Sequence, residues 1–512
     1  MFPRLSRLSL LALAALGSGC ASLPPERGTD LPTEWITQRG LPAPSWPSDD
    51  GTVPEPAVSS SIETIDLDLA LDWAFVHHPA VAETYARLGI SRAELDEARR
   101  LANPRFDFAR LSASEGEAQI TRGLSFGLSD WLMQPLRKRF AEGELKREQL
   151  HAAQALWALA GEVEAAWIEA VAAQQVAQMR ALVLEAASAS AEFAERLFAA
   201  GNLAPLQLEQ ERAEAISAGI GAAEADTEAL TARHRLALLT GLPFDDSWQL
   251  PEQLPAPLSD LPTAGELVER LVQERLDLLA AKEEVRLRED ALGVTRRWRW
   301  LGELEFEYEW ESEADGAGLR GPGLSLELPL FSQGQPAITR AKAELLIAKT
   351  ELNKAIRQGE REVRTALAAM QLQQRIVQRY REALLPAREA IVRRTQEEVN
   401  FMLVGVFELL AAKREQFDAY QAYLQAIRDY WLARGELTQA VGARWADEGE
   451  HEPVLGIDSV LPPPSEGGHQ GHQGHQGQQG HTEHSTQRSS EQADHSQHNP
   501  AHHGHEHHGE TQ

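Results

Sequence analysis

Cysteine is nearly absent from this chain: Cys20 stands alone in 512 residues. That excludes internal disulfides and, with position 20 set aside, thiolate metal or redox chemistry. Beyond the N-terminus no run reaches the ~18 uncharged apolar residues that a transmembrane helix needs, so any membrane crossing must be made by strands. Five methionines are too few for a Cu(I)-thioether relay. Two catalytic signatures are missing too: there is no GxxxxGK(S/T) phosphate loop and no HExxH helix. The chain reads as a non-enzyme whose energy would have to come from a partner. Charge is one-sided, with 77 acidic against 49 basic residues and a formal net charge of −28, which confers solubility and attracts cations.

What is present centres on Leu301–Phe331, LGELEFEYEWESEADGAGLRGPGLSLELPLF. Glu303, Glu305, Glu307, Glu309 and Glu311 alternate with Leu304, Phe306, Tyr308 and Trp310. A period of two places these sets on opposite faces of a strand. After a turn at EADGAG, Leu324, Leu326, Leu328 and Leu330 alternate with Ser325 and Glu327. Such a hairpin suits a half-buried soluble sheet or a membrane barrel with lipid outside and water inside. An earlier pair, RFDFARLSAS from Arg105 and AQITRGLSFGLS from Ala118, repeats the pattern. Arg122 and Arg110 break its apolar rows, and both would have to lie near a headgroup boundary or an outer loop.

The N-terminus carries Arg4 and Arg7, then Leu8–Leu16, then small residues up to Cys20. Residues 1–19 are a secretory signal, too short to span a membrane. LGSGC resembles a bacterial lipoprotein signal, in which Cys20 would carry the lipid (palmitate among its acyl groups). Ala21, rather than an Asp, favours the outer membrane over inner-membrane retention. Residues 20–61, rich in Pro, Gly and Asp, read as a loose lipid-anchored tether.

The chain is written twice. Gly123–Leu145 aligns with Gly323–Leu345 at an offset of 200 (Gly123/Gly323, Ser125/Ser325, Leu145/Leu345). Later the offset becomes 201 (Leu208/Leu409, Leu236/Leu437, Gly241/Gly442). Each half runs helix, two strands, very long helix, sharp tip, long helix. Leu136–Ala204 contains no proline before its end and is rich in strong helix formers; some 60 helical residues would span about 90 Å. Ala337–Val404 is interrupted only by Gly359 and Pro386. Helices of this length imply coiled-coil packing. A rod-like bundle would explain the helices and leave the acidic hairpins without a purpose.

In this order the segments resemble the TolC family of outer-membrane efflux channels, and within it the lipoprotein subunits of tripartite resistance-nodulation-division pumps of the heavy-metal (CzcC/CusC-like) type. The likeness runs from about Ile65 to Trp445. It rests on the duplicated order, on PLF at Pro329–Phe331, and on the tips RLFAAGNLAPLQL (Arg196–Leu208) and NFMLVGVFELLAAK (Asn400–Lys413). LDLALDWAFVHHPAV near Leu67 adds to it, with His78-Pro79 where the family has Asn-Pro. The resemblance implies a mainly α fold with a membrane β-barrel. A homotrimer would build it, each protomer giving four strands to a 12-stranded barrel on an α-helical periplasmic tunnel. Residues 62–250 would be the first repeat, 251–445 the second and 446–512 a C-terminal segment. Implied partners are a periplasmic adaptor (membrane fusion protein), an inner-membrane transporter and outer-membrane lipid, with no nucleic acid. Physics asks for copies independently, since an open sheet in lipid leaves edge groups unsatisfied. Trp131, Trp298, Trp300 and Trp310 near strand ends suit interfacial girdles.

In such a barrel the five alternating glutamates face water, and Glu327 adds a further ring. By alignment on Leu410-Ala411-Ala412, Glu408 matches a gate aspartate of the family. The next gate carboxylate falls on Ala411 and the tip arginine on Val404, so the gate is reduced. Tip loops around Gly201 and Gly405 would meet the adaptor. After Pro462-Pro463-Pro464 the composition turns to Gly, Gln, Ser and His and is expected to be disordered. His469, His472, His475, His481, His484, His495, His498, His502, His503, His505, His507 and His508 lie there. Imidazoles at such spacings can gather around a divalent metal without a preformed site; otherwise the tail is passive, and the chain has no resident cofactor. Three readings follow: a metal-export channel, a drug or organic-compound channel, or a periplasmic metal-buffering scaffold.

Overall fold

Proline-poor runs of helix formers set the architecture. The computed structural model describes residues 27–48 and 64–444, apart from 113–117, 246, 258–261, 301, 314–316, 329 and 332. Cys20, the signal segment and the histidine tail lie outside the described residues.

The order is α1 (Asp30–Gln38), α2 (Leu67–His77), α3 (Pro79–Arg99), β1 (Arg105–Ser112), β2 (Ala118–Gly127), α4 (Leu128–Ala199) and α5 (Pro205–Thr240). The second half repeats it: α6 (Ala264–Glu274), α7 (Leu276–Trp298), β3 (Leu304–Ser312), β4 (Gly318–Leu326), α8 (Gln335–Arg379), a π turn (Tyr380–Leu384), α9 (Leu385–Asn400) and α10 (Val406–Val441). The 72 residues of α4 make a rod about 108 Å long at ~1.5 Å per residue. It packs along α3 and α7 toward the sheet and along α5 and α10 toward the tips. Two helical glycines mark where a neighbour crosses closely. A Cβ on Gly143 would lie 2.2 Å from Leu287 Cδ2, and one on Gly161 would lie 2.5 Å from Gln439 Nε2.

The offset change from 200 to 201 has a physical site. Pro386 is the second residue of α9 and cannot donate a helical hydrogen bond. Immediately before it the helix widens into the π turn, the geometry that takes up one extra residue. Beyond that point the halves match again: Gly241 and Gly442 both end their helices in the left-handed conformation, φ 79° and 82°.

The strands form one antiparallel sheet in the order β1-β2-β3-β4. The β1–β2 and β3–β4 links lie at one end of the sheet, and all four connections to helices lie at the other. The core lies in the helical body, where Trp248, Tyr420, Tyr423, Tyr430, Phe75 and Met179 are fully buried. The expected loose tether is corrected here. Residues 30–38 form α1, with Ile36 and then Leu41 buried in the common core. Arg39, buried, donates from Nε to the Gly442 carbonyl (2.8 Å), from Nη1 to Trp35 O (2.7 Å) and from Nη2 to Glu274 O. Composition suggested a tether; two apolar anchors and one cation with three carbonyl partners make it a strap.

His78 caps the helix that follows it. Its Nδ1 accepts the Ala80 N–H at 3.2 Å and caps α3, which requires that nitrogen to be unprotonated. Burial pushes its pKa below 6.5 against the opposing pull of Glu162. The neutral cap is therefore fully formed above about pH 6.5, and its contribution is lost as pH falls through the lower folded value. His78→Asn keeps an acceptor at every pH. Chemical denaturation at pH 5 should find the variant more stable than the parent by about 1 kcal/mol, the usual worth of a cap, with no difference at pH 8; an equal gap at both would remove the cap from the explanation.

Candidate functional site

Register decides what shares each face of the sheet. Glu305 lies between Gly127 and Ser325, Glu307 between Ser125 and Gly323, and Glu309 between Gly123 and Gly321. Glu311 lies between Thr121 and Leu319, and Gln119 Nε2 donates to its Oε1. Small neighbours leave the carboxylates room: a Cβ on Gly123 would come within 3.1 Å of Glu307 Oε1. The Glu327 N–H donates to Glu303 O at 3.0 Å, so the two outermost glutamates meet at the helix end of the sheet. Asp107, opposite Gly123, joins the same face. Sequence reading passed over it, although its place between Phe106 and Phe108 carried the signal.

The other face is apolar and exposed. Phe126, Phe306 and Leu324 form one rung; Phe106, Leu124, Tyr308 and Pro322 form the next. Phe106 is 62% exposed and Leu324 67%. Near the helix end of the sheet Leu328, Leu330, Phe331, Trp131 and Trp300 are exposed as well, while Trp298 is half-buried. Trp310, packed on Tyr308 at 4.6 Å between ring centroids, marks the turn end. Arg122 falls in the Trp310 rung and Arg110 one rung nearer the turns, as their cost requires. An arginine facing lipid costs ~2–4 kcal/mol at mid-depth and ~0–1 at the boundary.

At the tips, Gly201 takes the left-handed conformation that ends α4, φ 76°. Gly201 N–H donates to Phe198 O and Asn202 N–H to Leu197 O, satisfying the last carbonyls. The equivalent position in the second tip, at offset 201, is Met402, and it adopts φ 60° without being glycine. Gly405, by contrast, has an ordinary φ of −82° and caps α10. Glu408 sits in the first turn of α10, exposed, with its Oε2 2.7 Å from where a Gly405 Cβ would be. Its carboxylate thus lies against the positive N-terminus of its own helix. Nearby, Ser190 Oγ donates to buried Glu211 (2.6 Å), and Arg414 of α10 reaches Glu214 (3.0 Å) and Glu211 (4.0 Å). These bonds tie α4, α5 and α10 just behind the tips. Among the described residues no group of three or more His, Cys, Asp or Glu is arranged to hold a metal ion.

No protein-family model and no curated protein matches the sequence. Solved structures do. VceC, an outer membrane protein of Vibrio cholerae, aligns at 17% identity with a TM-score of 0.60, over 74% of this chain and 96% of its own. CusC, described for its transmembrane channel formation, aligns at 18% identity and 0.61, over 79% and 98%. The open outer membrane channel MtrE of Neisseria gonorrhoeae aligns at 18% and 0.58, over 79% and 98%. The chain has the fold of an outer-membrane channel protomer. That fold accounts for the two unlike sheet faces and for the helical rods hung from one end of the sheet. The neighbours are channel proteins rather than enzymes.

Met402 generates a prediction. A left-handed residue with a Cβ costs ~1–2 kcal/mol, and this side chain, 92% exposed, recovers little of it by packing. Met402→Gly should slow amide hydrogen exchange around residues 399–404 by roughly fivefold, equivalent to about 1 kcal/mol. Faster or unchanged exchange would show that the second tip is not strained.

Proposed function

We propose that the chain is one protomer of a trimeric efflux channel of the bacterial outer membrane, exporting divalent metal cations and passive in itself. The observation that carries this reading is the sheet: one apolar exposed face, one acidic face and two open edges. In lipid those edges demand pairing with further copies, and three copies would bring fifteen alternating glutamates (five in each) to the lumen. A ladder of carboxylates lowers the free energy of cations in the passage. Cys20 would anchor each protomer by lipid. The exposed tip residues Phe401, Met402 and Leu403 would meet a periplasmic adaptor, and a proton-driven inner-membrane transporter would supply the energy. Glu408 would line the tunnel entrance while also completing the start of α10. A drug channel uses the same conduit; what favours metal is the acidic ladder together with the twelve histidines of the tail, which would gather ions outside the wall.

Purified protein reconstituted in planar bilayers should conduct. With Glu305, Glu307 and Glu309 replaced by Gln, the cation-over-anion permeability ratio should fall at least about threefold, since charged clefts raise local counter-ion concentration ~10-fold or more. An unchanged ratio would remove the ladder from the cation path, and absence of any conductance would remove the channel.

The tail is tested separately. Deleting residues from Gly467 onward should leave trimers and conductance intact, while titration calorimetry with Zn²⁺ or Ni²⁺ loses most of its binding equivalents. In the full chain that binding should weaken as pH falls through about 6.5, because ligation needs unprotonated imidazole. Equal binding by the truncated chain would leave metal export resting on the acidic ladder.

A further inference from the structure

One cluster on the sheet has no part in conduction. Arg122 and Arg320 lie in the same rung, on either side of Trp310, and Arg110 lies one rung nearer the turns beside Ile120. All three belong to the apolar face, together with Phe108, and all three are exposed. Their carboxylate neighbours in sequence space, Glu309 and Glu311, point to the opposite face and cannot neutralise them. Several arginines of the helical body do pair with a carboxylate, among them Arg99, Arg139, Arg147, Arg275 and Arg288. For Arg110, Arg122 and Arg320 the described residues provide no such ion pair.

Their depth follows from the strand. Leu328 to Arg320 is eight residues, about 27 Å of extended chain. At the ~40° tilt usual for barrels this rises about 21 Å, close to the full apolar band of ~25 Å. With Leu328 near the helix-side boundary, the arginines reach the far boundary, on the side of the two turns. Arg122 and Arg320 stand two strands apart, about 10 Å between backbones, and Arg110 is diagonal to Arg122 at about 7–8 Å. Long side chains that bury their stems against aromatic neighbours can converge their heads on one group at that level. A guanidinium fork matches the oxygens of a phosphate bidentately, which a point charge does not.

We propose that Arg110, Arg122 and Arg320 form a binding site for the phosphate-bearing headgroup of an anionic lipid in the outer leaflet. The site rests on the membrane-barrel reading above and goes beyond it. It gives each protomer one lipid contact, with Trp310 between the two arginines in the main rung. The ligand is lipid-borne phosphate, because the apolar face beneath the arginines receives the acyl chains at the same time.

The test uses the full chain in detergent micelles and lipid vesicles. Bisphosphorylated lipid A, its dephosphorylated form and inorganic phosphate are each titrated, with bound lipid counted by native mass spectrometry. The parent protein should retain the phosphorylated lipid at least about tenfold better than the dephosphorylated one, and the preference should weaken with added salt. R110Q/R122Q/R320Q should lose that preference, while R110K/R122K/R320K, which keeps the charge and guards against a folding defect, should retain part of it. Full competition by millimolar inorganic phosphate would assign the site to free anion and overturn the lipid proposal. Equal retention of both lipids, or an unchanged preference in the Gln variant, would overturn it while channel insertion and conductance stand. A protein that neither inserts nor conducts sinks both readings.

Discussion

An unpaired strand edge, if placed in hydrocarbon as proposed, governs the rest of this molecule. Every N–H and C=O left open there costs several kcal/mol, and nothing in lipid can replace water as a partner. The four-stranded sheet has such an edge on β1 and another on β4. Its faces reinforce the demand: the apolar face of Phe106, Leu124, Phe306 and Leu324 needs an apolar medium, while the glutamate face needs water. Closure with further copies meets all of these requirements at once. The helical rods then follow, because strands that begin and end at one boundary must hang their connections on a single side.

Below the sheet, stability has another source. The helices are long and alanine-rich, and their close approaches at Gly143 and Gly161 leave no space for a Cβ. The largest buried side chains gather in the middle of the helical body, around Trp248, Tyr420 and Tyr430. There the Arg39 strap joins the N-terminal segment to the ends of α6 and α10 through backbone carbonyls, with the Glu274 carboxylate 3.9 Å away. Burial pulls that guanidinium's pKa below its usual value, against the attraction of Glu274; the group stays charged because arginine starts so high.

Much of this was legible in the sequence, because period-two alternation and proline-free runs are local signals. The strands begin and end close to the expected positions, and the two halves keep the expected order. What sequence reading missed depends on pairing or on three dimensions. Asp107 gains meaning only opposite Gly123. Residues 27–48 look like a tether until Ile36 and Arg39 meet partners hundreds of residues away. The demand for a left-handed residue at Met402 is invisible in its identity and appears only through its alignment with Gly201. Glu408 was legible as a tip residue, but its contact with the start of α10 was not.

The π turn at Tyr380–Leu384 has a consequence for symmetry. Two near-identical hairpins per chain would give a ring of three chains a pseudo-sixfold arrangement, with every rod equivalent to the next. One extra residue in the second hairpin cancels that equivalence. Rods built on α4 run unbroken, and rods built on α8 and α9 carry a joint, so the two kinds would alternate around the proposed ring. A uniform ring would have to deform all six hairpins together. An alternating ring can bend three of them while the other three hold the wall.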